Sequence, residues 1–247
     1  MKKIGLTSLA LLGTLGLFAQ SGKIQWGLSL SSTHNESHFI GGNDNAHARF
    51  HHNEFKGVEW QISVRKDLNS HLFIQTGIGA NALGFSTALT QNYSLLNKDY
   101  HYKGVTHKWL EGIIPLMGFY KSNLNCKNWR WVAGGGVSLA WHNNLKTFKN
   151  NKDQIDDSTN KSFATLMQTT NARKYTRVNG LLSIGMEKQF KKNQLFGVYL
   201  FGSFSGNNIA NSFVEYTLDN QNYMHQFTNK GSYWGLRFSY FFRTKSQ

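Results

Sequence analysis

After residue 20 the sequence alternates apolar and polar residues with a period of two through most of its length, and this constrains the fold more than any other feature. A period of two puts successive side chains on opposite faces of an extended strand, whereas a helix repeats about every 3.6 residues. In Lys23 to Ser31, one face carries Ile24, Trp26, Leu28 and Leu30, and the other carries Lys23, Gln25, Gly27 and Ser29. The pattern recurs near residues 57–65, 71–90, 129–141, 177–190 and 231–242. It is less clean over 102–120, which holds the single proline, Pro115, and residues 195–206 are apolar on both faces. These are eight candidate strands, with no long helical pattern between them. Their connections run long, short, long, short, long, short, long: 32–55, 67–70, 91–101, 121–128, 143–172, 191–194 and 207–230. A soluble sandwich or a lipocalin-like barrel also alternates. Short turns at one rim and long loops at the other favour an all-β, eight-stranded antiparallel up-and-down transmembrane β-barrel. Several of the segments reach the ~9–11 residues that a tilted strand needs to cross a bilayer. A mean hydropathy of −0.44 does not oppose this, because only alternate residues of a barrel face lipid.

The first residues set the compartment. Lys2 and Lys3 precede an apolar run from Ile4 to Phe18, and Ala19 supplies a small residue before Gln20. That is the pattern of a secretory signal peptide, residues 1–19, leaving 20–247 as one barrel domain. The run is short for a spanning helix, and no cysteine at the cut supports a lipoprotein. The chain carries 27 Lys+Arg against 13 Asp+Glu, a formal charge of +14. Without Lys2 and Lys3 the count is 25 against 13, or +12. Such a charge first suggests nucleic acid. An exported chain does not meet genomic DNA, so the expectation is no nucleic acid. The expected location is the outer membrane of a Gram-negative bacterium, both termini periplasmic, with outer-membrane lipid and glycolipid as partners. Arg65, Lys66, Lys121, Lys127, Lys188, Lys191, Lys192, Arg243 and Lys245 cluster near the short turns, suggesting a basic periplasmic rim beside anionic headgroups.

Eight strands enclose a lumen just wide enough for side chains to fill. The polar face carries Glu59, Arg65, Arg130, Arg177, Glu187 and Arg237, and Glu111 can join them. Charges away from bulk water need partners, so an internal ion-pair network is expected. It reads as a structural plug, or alternatively as a proton or ion path. A diffusion porin needs about 16 strands. Trp26, Trp60, Trp129, Trp141, Trp234 and Phe242 lie in or at the ends of strands, where wide amphipathic rings suit a membrane interface.

The remaining motifs are weak. Five histidines, His34, His38, His47, His51 and His52, share the first long loop with Glu36, Asp44 and Glu54. Their i, i+4 spacings align metal ligands only on a helix, and Gly41, Gly42 and Asn43 favour turns, so no metal site is assigned. Ser138 with His142 or His107 and Glu111 are the candidates for a lipid-modifying acylhydrolase, though no G-x-S-x-G elbow is present. No phosphate loop, G-x-G-x-x-G or H-E-x-x-H occurs, so no cofactor is expected. Lys146, Lys149 and Lys152 form a basic stretch that can meet glycolipid phosphate or simply stay hydrated. Cys126 has no partner in the sequence, which excludes an internal disulfide.

Three stretches carry a family resemblance. The leader ends Phe18-Ala19-Gln20, the fourth strand reads Trp109-Leu110-Glu111-Gly112-Ile113-Ile114-Pro115-Leu116-Met117-Gly118-Phe119-Tyr120, and the last ends Gly235-Leu236-Arg237-Phe238-Ser239-Tyr240-Phe241-Phe242. Together they resemble the PorT-like "porin family" outer-membrane barrels of Bacteroidetes-type bacteria. Gly112 reads as an insertion in that family's Leu-Glu-Ile-Pro-Leu strand. The resemblance implies recognition of the last strand by the barrel-assembly machinery. It also implies a non-enzymatic structural or interaction role, with an accessory part in protein secretion or gliding as the alternative.

Overall fold

The computed structural model describes residues 24–35, 38–42, 48–53, 55–93, 98–103, 107–125, 127–144, 146–152, 166–190, 194–218 and 221–243. The expected leader, residues 1–19, lies outside them. Eight long strands form the barrel: β1 (Ile24–Asn35), β2 (Phe55–Asp67), β3 (Leu72–Tyr93), β4 (His107–Lys121), β5 (Trp129–His142), β6 (Tyr175–Gln189), β7 (Gln194–Phe204) and β8 (Tyr233–Arg243). Each pairs antiparallel with its neighbour in sequence, and β1 pairs with β8 from Gln25↔Arg243 to Asn35↔Tyr233, so the sheet closes. The chain is an eight-stranded antiparallel up-and-down barrel.

The pairing fixes the barrel's dimensions. Starting at Asn35, the partners run Tyr233, Ser203, Leu181, Gly136, Met117, Gln75, Arg65 and Gln25. The circuit returns to β1 at residue 25 instead of 35, a stagger of 35 − 25 = 10 residues. With a rise of ~3.3 Å per residue and strands ~4.7 Å apart, the strands tilt by about 40° and the backbone radius is about 8 Å. A cylinder that narrow is filled by side chains.

Asparagines close two of the short turns. The Asn69 side-chain oxygen accepts from the backbone N–H of His71 (2.8 Å) and Leu72 (2.7 Å). That of Asn125 accepts from Lys127 (3.0 Å) and Trp129 (2.9 Å), and Asn128 takes the left-handed φ of 61° that asparagine tolerates. At the opposite rim the structure departs from the expected loops. The ladders continue upward as two sheets. One comprises Ala48–Asn53, the end of β3 and Lys98–Lys103; the other has the order His38–Gly42, Gln221–Asn229, Ala210–Leu218, Leu166–Ala172, Lys146–Lys152. These segments lack a clean period of two, and their pairing follows from the barrel strands that feed them. The sheets part above the β1/β2 and β4/β5 seams.

Around Gly112 the β3–β4 register runs without a shift from Leu72↔Tyr120 to Phe85↔His107, with Gly112 opposite Ala80. The Trp141 ring lies across the bare Gly112 backbone. Arg65 and Lys121 do not belong to a basic rim. Both are buried, because their alternation turns them into the lumen. Trp109 is likewise buried, packed with Leu83, Phe201 and Tyr233 near the long-loop mouth.

Packing inside the barrel sets large residues against small ones. Phe73, Met117, Phe119, Val132, Leu181 and Tyr199 cluster, and Gly136 lets β5 lie close to β4. A Cβ at Gly136 would lie 2.1 Å from the Leu116 carbonyl oxygen, while one at Gly180 would meet nothing within 4 Å. Gly136→Val should therefore destabilise the barrel by about 1–3 kcal/mol in urea unfolding, through the strain of overpacking. Gly180→Val should be tolerated.

Candidate functional site

The lumen gathers the buried charge into two layers. At the short-turn end Glu187 accepts from two arginines. Arg65 Nη1 is 2.5 Å from Oε1, and Arg130 reaches Oε2 through Nε (2.7 Å) and Nη2 (2.5 Å). The Tyr199 hydroxyl donates to the same carboxylate at 2.6 Å. The Arg65 guanidinium lies 3.3 Å over the Phe73 ring, which stacks on Phe119 at 4.7 Å. Asp67 joins this layer through Lys121 (2.7 Å) and Arg65 (3.5 Å).

The second layer lies toward the long loops. Arg237 Nη2 donates to Glu59 at 2.5 Å, and the Tyr233 hydroxyl to the other Glu59 oxygen at 3.0 Å. The Arg237 guanidinium rests 4.0 Å over Phe201. Arg177 Nη2 donates to Glu111 at 2.8 Å, and the Tyr175 hydroxyl to the same oxygen at 2.9 Å. Arg177 also holds the start of the last strand through the carbonyls of Lys230 (2.7 Å) and Gly231 (3.1 Å). Gly231 has φ of +71°, and a Cβ there would strike the guanidinium, so glycine is required on both counts.

Between the layers the wall of β1, β2 and β8 is lined by small polar residues. Ser29 bonds Ser239 at 2.8 Å, and Gln75 donates to Ser63 at 3.3 Å. The amides of Gln61 and Asn179 are buried without a protein partner. At the long-loop mouth Ile209, Ala210, Val214 and Phe227 cover Leu83, Trp109, Phe201 and Tyr233. Asn229 joins this cap to the barrel, hydrogen-bonding Asn35 and donating to the Gly84 carbonyl at 3.1 Å.

Each of the three glutamates Glu59, Glu111 and Glu187 is thus shared by arginine and a tyrosine. Tyr175, Tyr199 and Tyr233 were missed from the sequence, although their inward parity could have marked them. Trp26, Trp60, Trp234 and Phe242 are exposed on the outer wall, while Trp129 and Trp141 there are half-buried. Ser138 and His142 both face inward and do not bond each other: His142 Nδ1 lies 2.7 Å from the Leu110 carbonyl, and the Ser138 hydroxyl has no partner. This inward orientation keeps the pair off the lipid face, where an acylhydrolase would need it. His107 is buried on the same inner side.

His34 stacks on Trp234 at 4.6 Å on the outer wall, away from any shared ligand set. His38 begins the strand His38–Gly42 above the barrel, and His51 and His52 pair with Ala88 and Thr87. His47, Glu36, Asp44 and Glu54 lie outside the described residues. Among the described residues no group of three His, Cys, Asp or Glu is placed to hold a metal ion.

Removing one member of a buried ion-pair cluster strands the others. Glu187→Gln leaves two guanidiniums underpaired and should cost about 3–5 kcal/mol. Asp67→Asn, at the more open edge of the same layer, should cost clearly less. Urea titration of the refolded barrel, followed by gel mobility, reads both.

No protein-family model matches the chain, and no curated protein does. Among solved structures it is similar to the outer membrane protein OprG from Pseudomonas aeruginosa, at 8% identity over 91% of this chain and 97% of that one, with a TM-score of 0.45. The N-terminal β-barrel domain of P. aeruginosa OprF gives 9% identity over 86% and 96%, with a TM-score of 0.33. The outer membrane protease OmpT from Escherichia coli gives 10% over 90% and 97%, with a TM-score of 0.34. The strand pairing described above establishes the barrel independently of these likenesses.

Proposed function

We propose that this chain is a non-enzymatic outer-membrane barrel with a structural or interaction role, its long-loop rim facing outward and both termini in the periplasm. The observation that carries this reading is the outer wall. Every strand projects large apolar side chains outward: Leu28, Ile62, Ile78, Leu116, Val137, Leu182, Leu200 and Leu236 are all exposed. Water would oppose so continuous an apolar surface, while lipid favours it. The outward-facing charges of the strands, Lys56, Lys108 and Lys188, stand near strand ends. Aromatic residues flank the apolar belt. Trp26, Tyr120, Trp131 and Phe242 lie toward the short turns, and Trp60, Phe204 and Trp234 toward the long loops. Trp234 and Phe242 share one face of β8, and eight residues at this tilt span about 20 Å of the axis, close to a barrel's apolar band.

The interior supports a structural part in this reading, since both charged layers are paired across the lumen and the mouth is capped by the chain's own residues. An interaction role would then fall to the two extracellular sheets. The PorT-like kinship belongs to the same proposal and rests on the Trp109–Tyr120 and Gly235–Phe242 stretches. So do cleavage after Ala19 and delivery by the assembly machinery.

Two measurements test the reading. The protein should fractionate with the outer membrane and migrate differently on gels when unheated; a soluble periplasmic product would overturn it. Leu182→Arg, at an exposed position in the middle of the belt, should cost about 2–4 kcal/mol of stability in lipid.

A further inference from the structure

Extending the membrane reading above, we propose that the long-loop rim over β4, β5 and β6 binds the phosphate of a glycolipid headgroup in the outer leaflet. Lys108 and Leu110 project outward from β4, between the inward His107, Trp109 and Glu111. His142↔Tyr175 is the last barrel pair of β5 and β6; Asn143 follows it and Lys174 precedes it, and both are exposed. One row lower, Trp141 pairs with Thr176 on one side and Gly112 on the other. Its ring lies across the Gly112 backbone, flat against the wall and half-buried.

The patch has the composition that an anionic headgroup requires. Two lysines, an amide and a hydroxyl stand above an indole ring where the apolar belt ends, with Leu110 and Val178 below them. Lysine ammoniums there can reach a phosphate while their methylene stems stay on the apolar wall. Asn143 and Thr176 supply hydrogen-bond donors to phosphate or sugar oxygens, and Trp141 packs at the boundary between headgroup and acyl chain. Residues 107–114, 137–144 and 173–180 contain a single carboxylate, Glu111, which points into the lumen and is paired with Arg177. Nothing acidic on this stretch of wall therefore neutralises Lys108 and Lys174. At the opposite rim Arg65, Arg130 and Lys121 are committed to Glu187 and Asp67 inside the barrel.

The test is native mass spectrometry of the refolded full chain with bisphosphorylated lipid A and with its dephosphorylated form. Wild-type protein should retain the phosphorylated lipid. At about fivefold per lysine near an anionic surface, Lys108→Ala/Lys174→Ala should weaken retention by roughly thirtyfold. Lys127→Ala/Lys188→Ala, at the other rim, should leave it unchanged. Equal retention by the Lys108/Lys174 variant, or equal retention of the dephosphorylated lipid, overturns the proposal. Gel mobility and insertion into vesicles of neutral phospholipid are read in parallel. Failure of the wild type to insert overturns the membrane reading itself, whereas insertion with equal retention overturns the headgroup site alone.

Discussion

Ring closure between β1 and β8 is the constraint on which the rest of the structure depends. In an open sheet of these eight strands, two rows of backbone N–H and C=O groups would be left at the edges, which a hydrocarbon environment does not tolerate. Pairing Trp26 with Phe242 and Asn35 with Tyr233 removes both edges. With eight strands and a stagger of ten residues, closure also sets the tilt and the radius. It divides every strand into a residue set that must fill a narrow tube and a set that faces outward.

The inner set meets a demanding condition. Charges placed in such a tube need partners within reach, and the partners come from across the barrel. Glu187 on β6 meets Arg65 on β2, and Glu59 on β2 meets Arg237 on β8. Tyrosine hydroxyls supply further hydrogen bonds to the carboxylates, and aromatic faces receive the guanidiniums. Breaking one member is costly because its partners stay buried. Serines and glycines leave room on one wall for the rings of the other, so volume and charge are matched together.

Beyond the belt the barrel does not simply end in loops. Its ladders run on as two sheets, and the cap over the mouth is held by Asn229 and Arg177. Arg177 is bound both to Glu111 in the lumen and to the carbonyls of Lys230 and Gly231. Arg177 thus links the cap to the charged interior.

The alternation of apolar and polar residues, together with the long–short rhythm of the connections, was enough to determine the strand count, the antiparallel order and the closed barrel. Local parity also assigns a face to Glu59, Arg130 or Arg237, because it depends only on position within a strand. What parity cannot supply is distance across the fold. Arg65 and Glu187 are 122 residues apart on strands that do not touch, and only the radius and stagger of the closed barrel bring them together. For the same reason Arg65 and Lys121, whose positions near turns suggested a basic rim, are lumen residues. Likewise only the pairing of Gly112 with Ala80 and Trp141 shows why that position carries no side chain. The two sheets beyond the barrel's long-loop rim were not legible because segments such as Lys146–Lys152 have no face pattern of their own. The sequence by itself determined which residues alternate; the tertiary structure decided which of them meet, because register and ring closure are long-range properties of the hydrogen-bonded sheet.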